Sequence, residues 1–285
     1  MIQVIGTEHN LGGGLIVRRI LPNRRKRMVG PFTFLDHMGP VTAAPNQNTD
    51  VRPHPHIGLS TLTYLFDGKM FHRDSIGSEQ LIVPGEVNWM TAGKGISHSE
   101  RTPSSLKNMS RNLHGLQFWV ALPDGKEEID PHFEHYKQDE IPIVEDDEKR
   151  INLVCGEAFG VKSPVRTTSP LIFADVVAKR NHMIKLFSPK FEFAVYMITG
   201  DAEVDGEKLS SQSMFAFDQG SSTRLNIKEG SKFVIIGGEP FQTSRHIWWN
   251  LVSSSREKIE EAKQSWKDGT FPMVPGETEF IPLPE

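Results

Sequence analysis

From Val51 to about Ala121 the chain is cut into short apolar segments by turn signals at Asp67-Gly68, Gly77, Pro84-Gly85, and Gly93 with Gly95. Several short segments at this spacing, with no helical periodicity between them, predict an all-β sandwich or barrel. The first 40 residues read the same way, as strand, Gly-rich turn, strand, turn, strand. Gly12 to Gly14 lack the G-x-G-x-x-G spacing and a following helix, so they are turn glycines and not a phosphate cradle. Arg24, Arg25, Lys26 and Arg27 follow Pro22-Asn23 at what reads as a hairpin tip, and a solvated turn accounts for them.

The second half repeats this grammar. Phe191 to Gly206 has the alternating apolar positions, the Tyr and the turn Gly four residues later that also mark Ser60 to Gly68. Between the halves, Pro123 to Arg150 is polar, charge-rich and interrupted by Pro, as linkers are. The expected division is a domain over 1–135, a linker over 136–148 and a second domain over 149–285. One helix is predicted, at about 255–268. Ser254 and Glu257 have the spacing of a capping box, Ile259, Ala262 and Trp266 form one apolar stripe, and Gly269 with Pro272 ends it.

Two short pairs carry chemistry: His54 with His56, and His98 with Glu100. Residues two apart on a strand share a face, so two such strands facing each other bring four metal-ligand side chains to one point. Pro55 donates no ladder hydrogen bond, which places the first pair at a strand start, bulge or edge, near a barrel mouth reachable from solvent. Three imidazoles and a carboxylate suit one divalent ion per chain, such as iron, nickel, copper, manganese, cobalt or zinc. A structural zinc favours a closed, cysteine-rich set. An ungapped alignment of Tyr64 with Tyr196 puts Leu186 and Ser188 in the places of His54 and His56, and 184–239 holds no histidine, so the second half carries no copy of the site.

Charge excludes other classes. A net charge of −4 and a pI of about 6.3 make no electrostatic case for nucleic acid or an anionic membrane. No apolar run approaches the roughly 18 to 20 residues that cross a bilayer, and the N-terminus lacks a signal-peptide pattern. The lone Cys155 excludes an intramolecular disulfide, fits a reducing compartment and reads as a small buried hydrophobe. A cytoplasmic monomer is expected.

Four segments carry a family resemblance: DHMGP at Asp36 to Pro40, HPHIG at His54 to Gly58, WMTAGKGISHSE at Trp89 to Glu100, and Trp248 to Pro272. Together they resemble the pirin family, a branch of the cupins. The resemblance implies a bicupin: two β-barrel domains of the double-stranded β-helix (jelly-roll) type with a C-terminal helix and metal only in the first barrel. It implies the ligand set His54, His56, His98 and Glu100, with iron the first candidate for the ion. The Glu that other cupins carry shortly after HxH is replaced here by Ser60 and Thr61.

Some bacterial pirins resemble quercetin 2,3-dioxygenases, which open a flavonol ring with dioxygen and release carbon monoxide. On that reading Glu100 is both ligand and catalytic base, and the partners are a flat polyphenol and dioxygen. Phe34, Met38 and Trp119 are pocket candidates, and Asp36 and His37 are candidates to orient the ligands, while surface or structural roles are expected for His72, His114, His132 and His135. The alternative the resemblance implies is a non-enzymatic, iron-dependent transcription co-regulator or redox sensor acting through a protein partner.

Overall fold

The computed structural model describes residues 1–11 and 14–284. Gly12 and Gly13 lie outside the described residues, and Gly14 has the positive φ of a turn, +89°. The alternating stretches form strands, and the strands gather into two compact units. No helix among the described residues is long and apolar enough to cross a membrane.

One unit comprises residues 8–17, 36–138 and 242–285. Its smaller sheet has the order Val51–His56, Ile96–Arg101, Met70–Asp74, Glu79–Ile82. Its larger sheet runs His132–Tyr136, Val87–Thr91, Leu59–Asp67, Arg111–Ala121, Phe32–Ala43, Ile16–Leu21, Thr7–Asn10. Phe32–Ala43 and Ile16–Leu21 each include residues grouped with the other unit. Met70 and Ile82 of the smaller sheet share a buried cluster with Leu65, Leu113, Met38 and Val17 of the larger. Such clusters remove apolar side chains from water at about 25 cal/mol per Å², the main favourable term in folding.

The other unit comprises residues 1–7, 18–35 and 139–241. Its larger sheet runs Ile2–Ile5, Ser213–Phe217, Glu192–Thr199, Lys232–Gly238, Leu171–Ala178, Lys149–Cys155, Ile143–Glu145. Its smaller sheet runs His182–Phe187, Ser222–Ile227, Asp201–Val204, Glu207–Ser210. Apart from the edge strands His132–Tyr136 and Ile2–Ile5, this repeats the first unit's order, which makes the two units a duplicated barrel. Here Ile184 and Leu225 pair across the smaller sheet and join a cluster with Val195, Phe215 and Phe233.

Two expectations change. The units are not contiguous halves: the first strand, Ile2–Ile5, pairs with Ser213–Phe217, and the C-terminal helix belongs to the unit containing residues 36–138. The segment read as a linker, 136–148, holds a short 3₁₀ turn at Gln138–Glu140 and the Ile143–Glu145 strand, because its Pro142 and charged residues bracket a short apolar edge. The helix itself runs Arg256–Lys267 with Ile259, Ala262 and Trp266 buried. Its N-cap is Ser255, whose Oγ accepts from the Lys258 N–H, and not Ser254. Ser254 is engaged instead by Glu127, and with Lys258 three residues after Ser255 the helix start has an N-cap but no capping box.

Candidate metal centre

The Val51–His56 strand is an edge strand whose neighbour is Ile96–Arg101. An edge tolerates prolines, and Pro53 and Pro55 lie within it. In the pairing His98 faces His54 and Ile96 faces His56, so the three histidines share one face. The register slips between His98 and Glu100, leaving Glu100 opposite Val51. Two glycines close the strand ends. Gly58, at φ +66°, donates its N–H to the Gly93 carbonyl at 2.9 Å, and a Cβ there would stand 2.0 Å from the Val252 carbonyl oxygen. The Gly after HPHI is therefore required by the backbone.

The ligand atoms of His54, His56 and His98 all lie within 4.8 Å of one another. His56 Nε2 and His98 Nε2 are 3.1 Å apart, and the ring centroids stand 4.4 to 5.0 Å apart. Each ring's other nitrogen is engaged. His54 Nδ1 donates to the Arg52 carbonyl and His56 Nδ1 to the Asn250 carbonyl, both at 2.9 Å, while His98 Nδ1 lies 3.4 Å from His72 Nδ1. Hydrogen bonds of this kind fix which nitrogen is left to bind metal.

Burial holds all three imidazoles neutral. Desolvation lowers His54 to about 4 and takes His56 and His98 well below the usual range, with repulsion from neighbouring histidines adding in each case. Neutral, converging imidazoles fit a divalent ion without a deprotonation cost. The site lies deeper than a barrel mouth suggests: His56 and His98 are essentially buried, and His54 and Glu100 each keep 7% exposure.

Glu100 is buried on the same strand as His98 but does not join the 4.8 Å group. Its Oε1 accepts from Thr63 Oγ1 at 3.2 Å, and Gln117 bonds the same carboxylate. Burial raises its pKa, against the lowering effects of His72, Thr63 and Gln117. Gln117 Oε1 is buried without a hydrogen-bond partner, the kind of acceptor a ligand hydroxyl satisfies. Ser60 and Thr61 are both buried, and Ser60 Oγ bonds Thr91 Oγ1 at 2.9 Å.

Of the pocket candidates, Trp119 reaches the centre, its ring edge-on to His56 with centroids 5.3 Å apart. Met38 belongs to an apolar core cluster, and Phe34 lies under the Arg19 guanidinium at 4.5 Å in the other unit. The orienting role expected of Asp36 and His37 falls to Arg52, Asn250 and His72. Asp36 is buried, and His37 Nε2 meets His114 Nε2 at 2.8 Å. His132 and His135 lie on the His132–Tyr136 strand, where His135 Nδ1 bonds Asn88 Oδ1 at 2.8 Å.

Sequence reasoning gave His72 only a surface or structural role and missed Asp74, Gln117 and Asn250. His72 and Asp74 repeat the two-residue spacing of the other pairs, a signal that was available. Asn250 acts through its carbonyl, 194 residues from His56, and leaves no local trace. A separate cavity of about 290 Å³ beside the C-terminal helix, lined by Ile57, Lys258 and Phe271 among others, contains none of the three histidines.

Residues 14–120 match the Pirin family and residues 173–272 the Pirin C-terminal cupin domain. A pirin-like protein of Caulobacter vibrioides is 47% identical over 96% of this chain and 96% of its own length. This chain belongs to the pirin family. A Pseudomonas aeruginosa relative named as a putative quercetin 2,3-dioxygenase is 37% identical, covering 94% of this chain and 84% of its own. The crystal structure of a quercetin 2,3-dioxygenase from Acinetobacter baumannii superposes with a TM-score of 0.93 at 38% identity, covering 100% of this chain and 95% of that one. The pirin fold here is thus a bicupin, and the three-histidine group is its candidate metal site.

Proposed function

We propose that this pirin is a metal-dependent dioxygenase of the quercetin 2,3-dioxygenase type, opening a flavonol ring with dioxygen and releasing carbon monoxide. The observation that carries the reading is three neutral buried imidazoles converging on one point, with Glu100, a carboxylate made more basic by burial, two residues beyond His98 on the same strand. His54, His56 and His98 would hold the ion, with Glu100 as a fourth ligand. A divalent ion there supplies Lewis-acid polarisation of the flavonol's adjacent hydroxyl and carbonyl oxygens. Iron heads the ions this donor set accepts.

The chain's own groups do the rest. Glu100 takes the proton of the flavonol hydroxyl, its Oε1 steadied by Thr63. Gln117 Oε1, otherwise unpartnered, accepts from a second hydroxyl of the polyphenol. Trp119 offers an apolar edge next to His56 against which a flat ring packs. The surrounding burial keeps water from the ionised substrate.

The test is aerobic loss of flavonol absorbance with carbon monoxide release, run with each of the six metals. Metal-dependent turnover by wild type, lost in Glu100→Gln with metal retained, is expected. Wild-type rates in Glu100→Gln would remove the base role. No turnover with any metal, together with binding of a purified protein partner, would favour a regulatory function.

A further inference from the structure

The first two ligands donate to backbone carbonyls, but the third depends on side chains alone. The Met70–Asp74 strand pairs with Ile96–Arg101 so that Asp74 faces His98 and His72 faces Glu100. His72 Nε2 lies 3.0 Å from Asp74 Oδ2, and His72 Nδ1 lies 3.4 Å from His98 Nδ1. His72 and Asp74 are 3% and 1% exposed, and the His72 ring stacks on Phe133 at 4.5 Å and 20°. Asp74 is itself anchored, its Oδ1 accepting from the Ile76 and Ser78 N–H groups at 3.1 and 2.9 Å.

We infer that Asp74, through His72, sets the tautomer of His98 and so makes His98 Nε2 the metal-binding atom. The deduction rests on proton counting. An ionised carboxylate only accepts, so the hydrogen between His72 and Asp74 belongs to His72 Nε2. The relay takes His72 as a neutral imidazole with a single N–H, so His72 Nδ1 is an acceptor. The hydrogen between the two Nδ1 atoms is therefore His98's, which leaves a lone pair on the Nε2 that faces His56. His72 and Asp74 are positioning residues that touch neither metal nor substrate. This inference rests on the metal reading above, and it makes His98 the one histidine of the three whose orientation a side-chain substitution retunes.

Asp74→Asn is the sharpest perturbation. Its Oδ1 still serves Ile76 and Ser78, while its NH₂ now donates to His72 Nε2. His72 is driven to carry its hydrogen on Nδ1, two donors then meet at 3.4 Å, and His98 moves its hydrogen to Nε2. His72→Phe removes the acceptor outright. His72→Asn returns an acceptor oxygen near the position of Nδ1.

Two readouts test this. Nitrogen-15 NMR of the metal-free protein should show His98 protonated on Nδ1 in wild type and on Nε2 in Asp74→Asn. Cobalt(II) affinity, by chelator competition, should fall about 10- to 100-fold in Asp74→Asn and His72→Phe and recover in His72→Asn. A merely structural role lowers the melting temperature without moving the tautomer. Wild-type His98 protonated on Nε2, or an unchanged tautomer in Asp74→Asn, overturns the relay. If wild type fails to bind cobalt, the metal reading fails while the NMR measurement still decides the relay.

Discussion

Acid should unfold the histidine-bearing unit before the other, and the size of the effect follows from burial. His54 titrates near 6.5 when unfolded and at about 4 in the fold. Between those values the unfolded chain binds the extra proton, so stability rises with pH and is lost as pH falls from 6.5 toward 4. A gap of about 2.5 pH units at ~1.36 kcal/mol each amounts to about 3 kcal/mol from His54 alone. His56 and His98 act in the same direction. Glu100 acts in the opposite one, because its raised pKa favours the fold at low pH and that contribution fades as pH rises through its folded value. The His54 contribution alone is a large part of the roughly 5 to 15 kcal/mol that holds a domain together.

The assay is built into the composition. All five tryptophans, at 89, 119, 248, 249 and 266, lie in the unit that holds the histidines, so their fluorescence during urea unfolding reports on that unit. For the metal-free protein we expect unfolding free energy to drop by about 3 kcal/mol or more between pH 7 and pH 4.5, and His54→Leu to flatten that slope. An unchanged urea midpoint over this range, or an identical slope in His54→Leu, would refute the claim that the imidazoles are buried and neutral.

Other substitutions separate the site from its scaffold. Gln117→Leu should keep metal and reduce flavonol turnover roughly 10-fold or more, read as kcat at saturating substrate, because Glu100 loses a hydrogen bond and the polyphenol an acceptor. Gly58→Ala should destabilise by more than about 1 kcal/mol in urea unfolding, since a Cβ at that positive φ meets the Val252 carbonyl. Arg245 is fully buried and bonds the Leu122 carbonyl, Asp124 and Glu127. Arg245→Ala should cost about 3 to 5 kcal/mol by removing the opposite charge from Glu127, which keeps only its Ser253 and Ser254 hydrogen bonds, measured the same way.

Much of this was legible in residue order. Strand alternation and Gly/Pro punctuation foretold the β architecture, and the duplicated sheet order explains why Phe191 to Gly206 echoes Ser60 to Gly68. Two-residue spacing brought His54, His56 and His98 together because strand pairing sets His98 directly across from His54. The unit boundaries were not legible, since the exchange of the first strand and of the last 44 residues is a long-range choice with no local signature. The N-cap moved by one residue because Glu127, far away in sequence, claims Ser254. Phe34 and Met38 read as pocket residues through composition alone, and packing directed both elsewhere.

Three histidines of one unit make the single candidate metal centre among the described residues. Its topological counterpart in the other unit is filled by Ile184 and Leu225, and His182 sits at the start of that strand. Metal quantification on reconstituted, desalted protein tests this most directly. One equivalent per chain in wild type and in His182→Ala, and none in His56→Ala, is the predicted result. A second equivalent, or metal retained by His56→Ala, would contradict it.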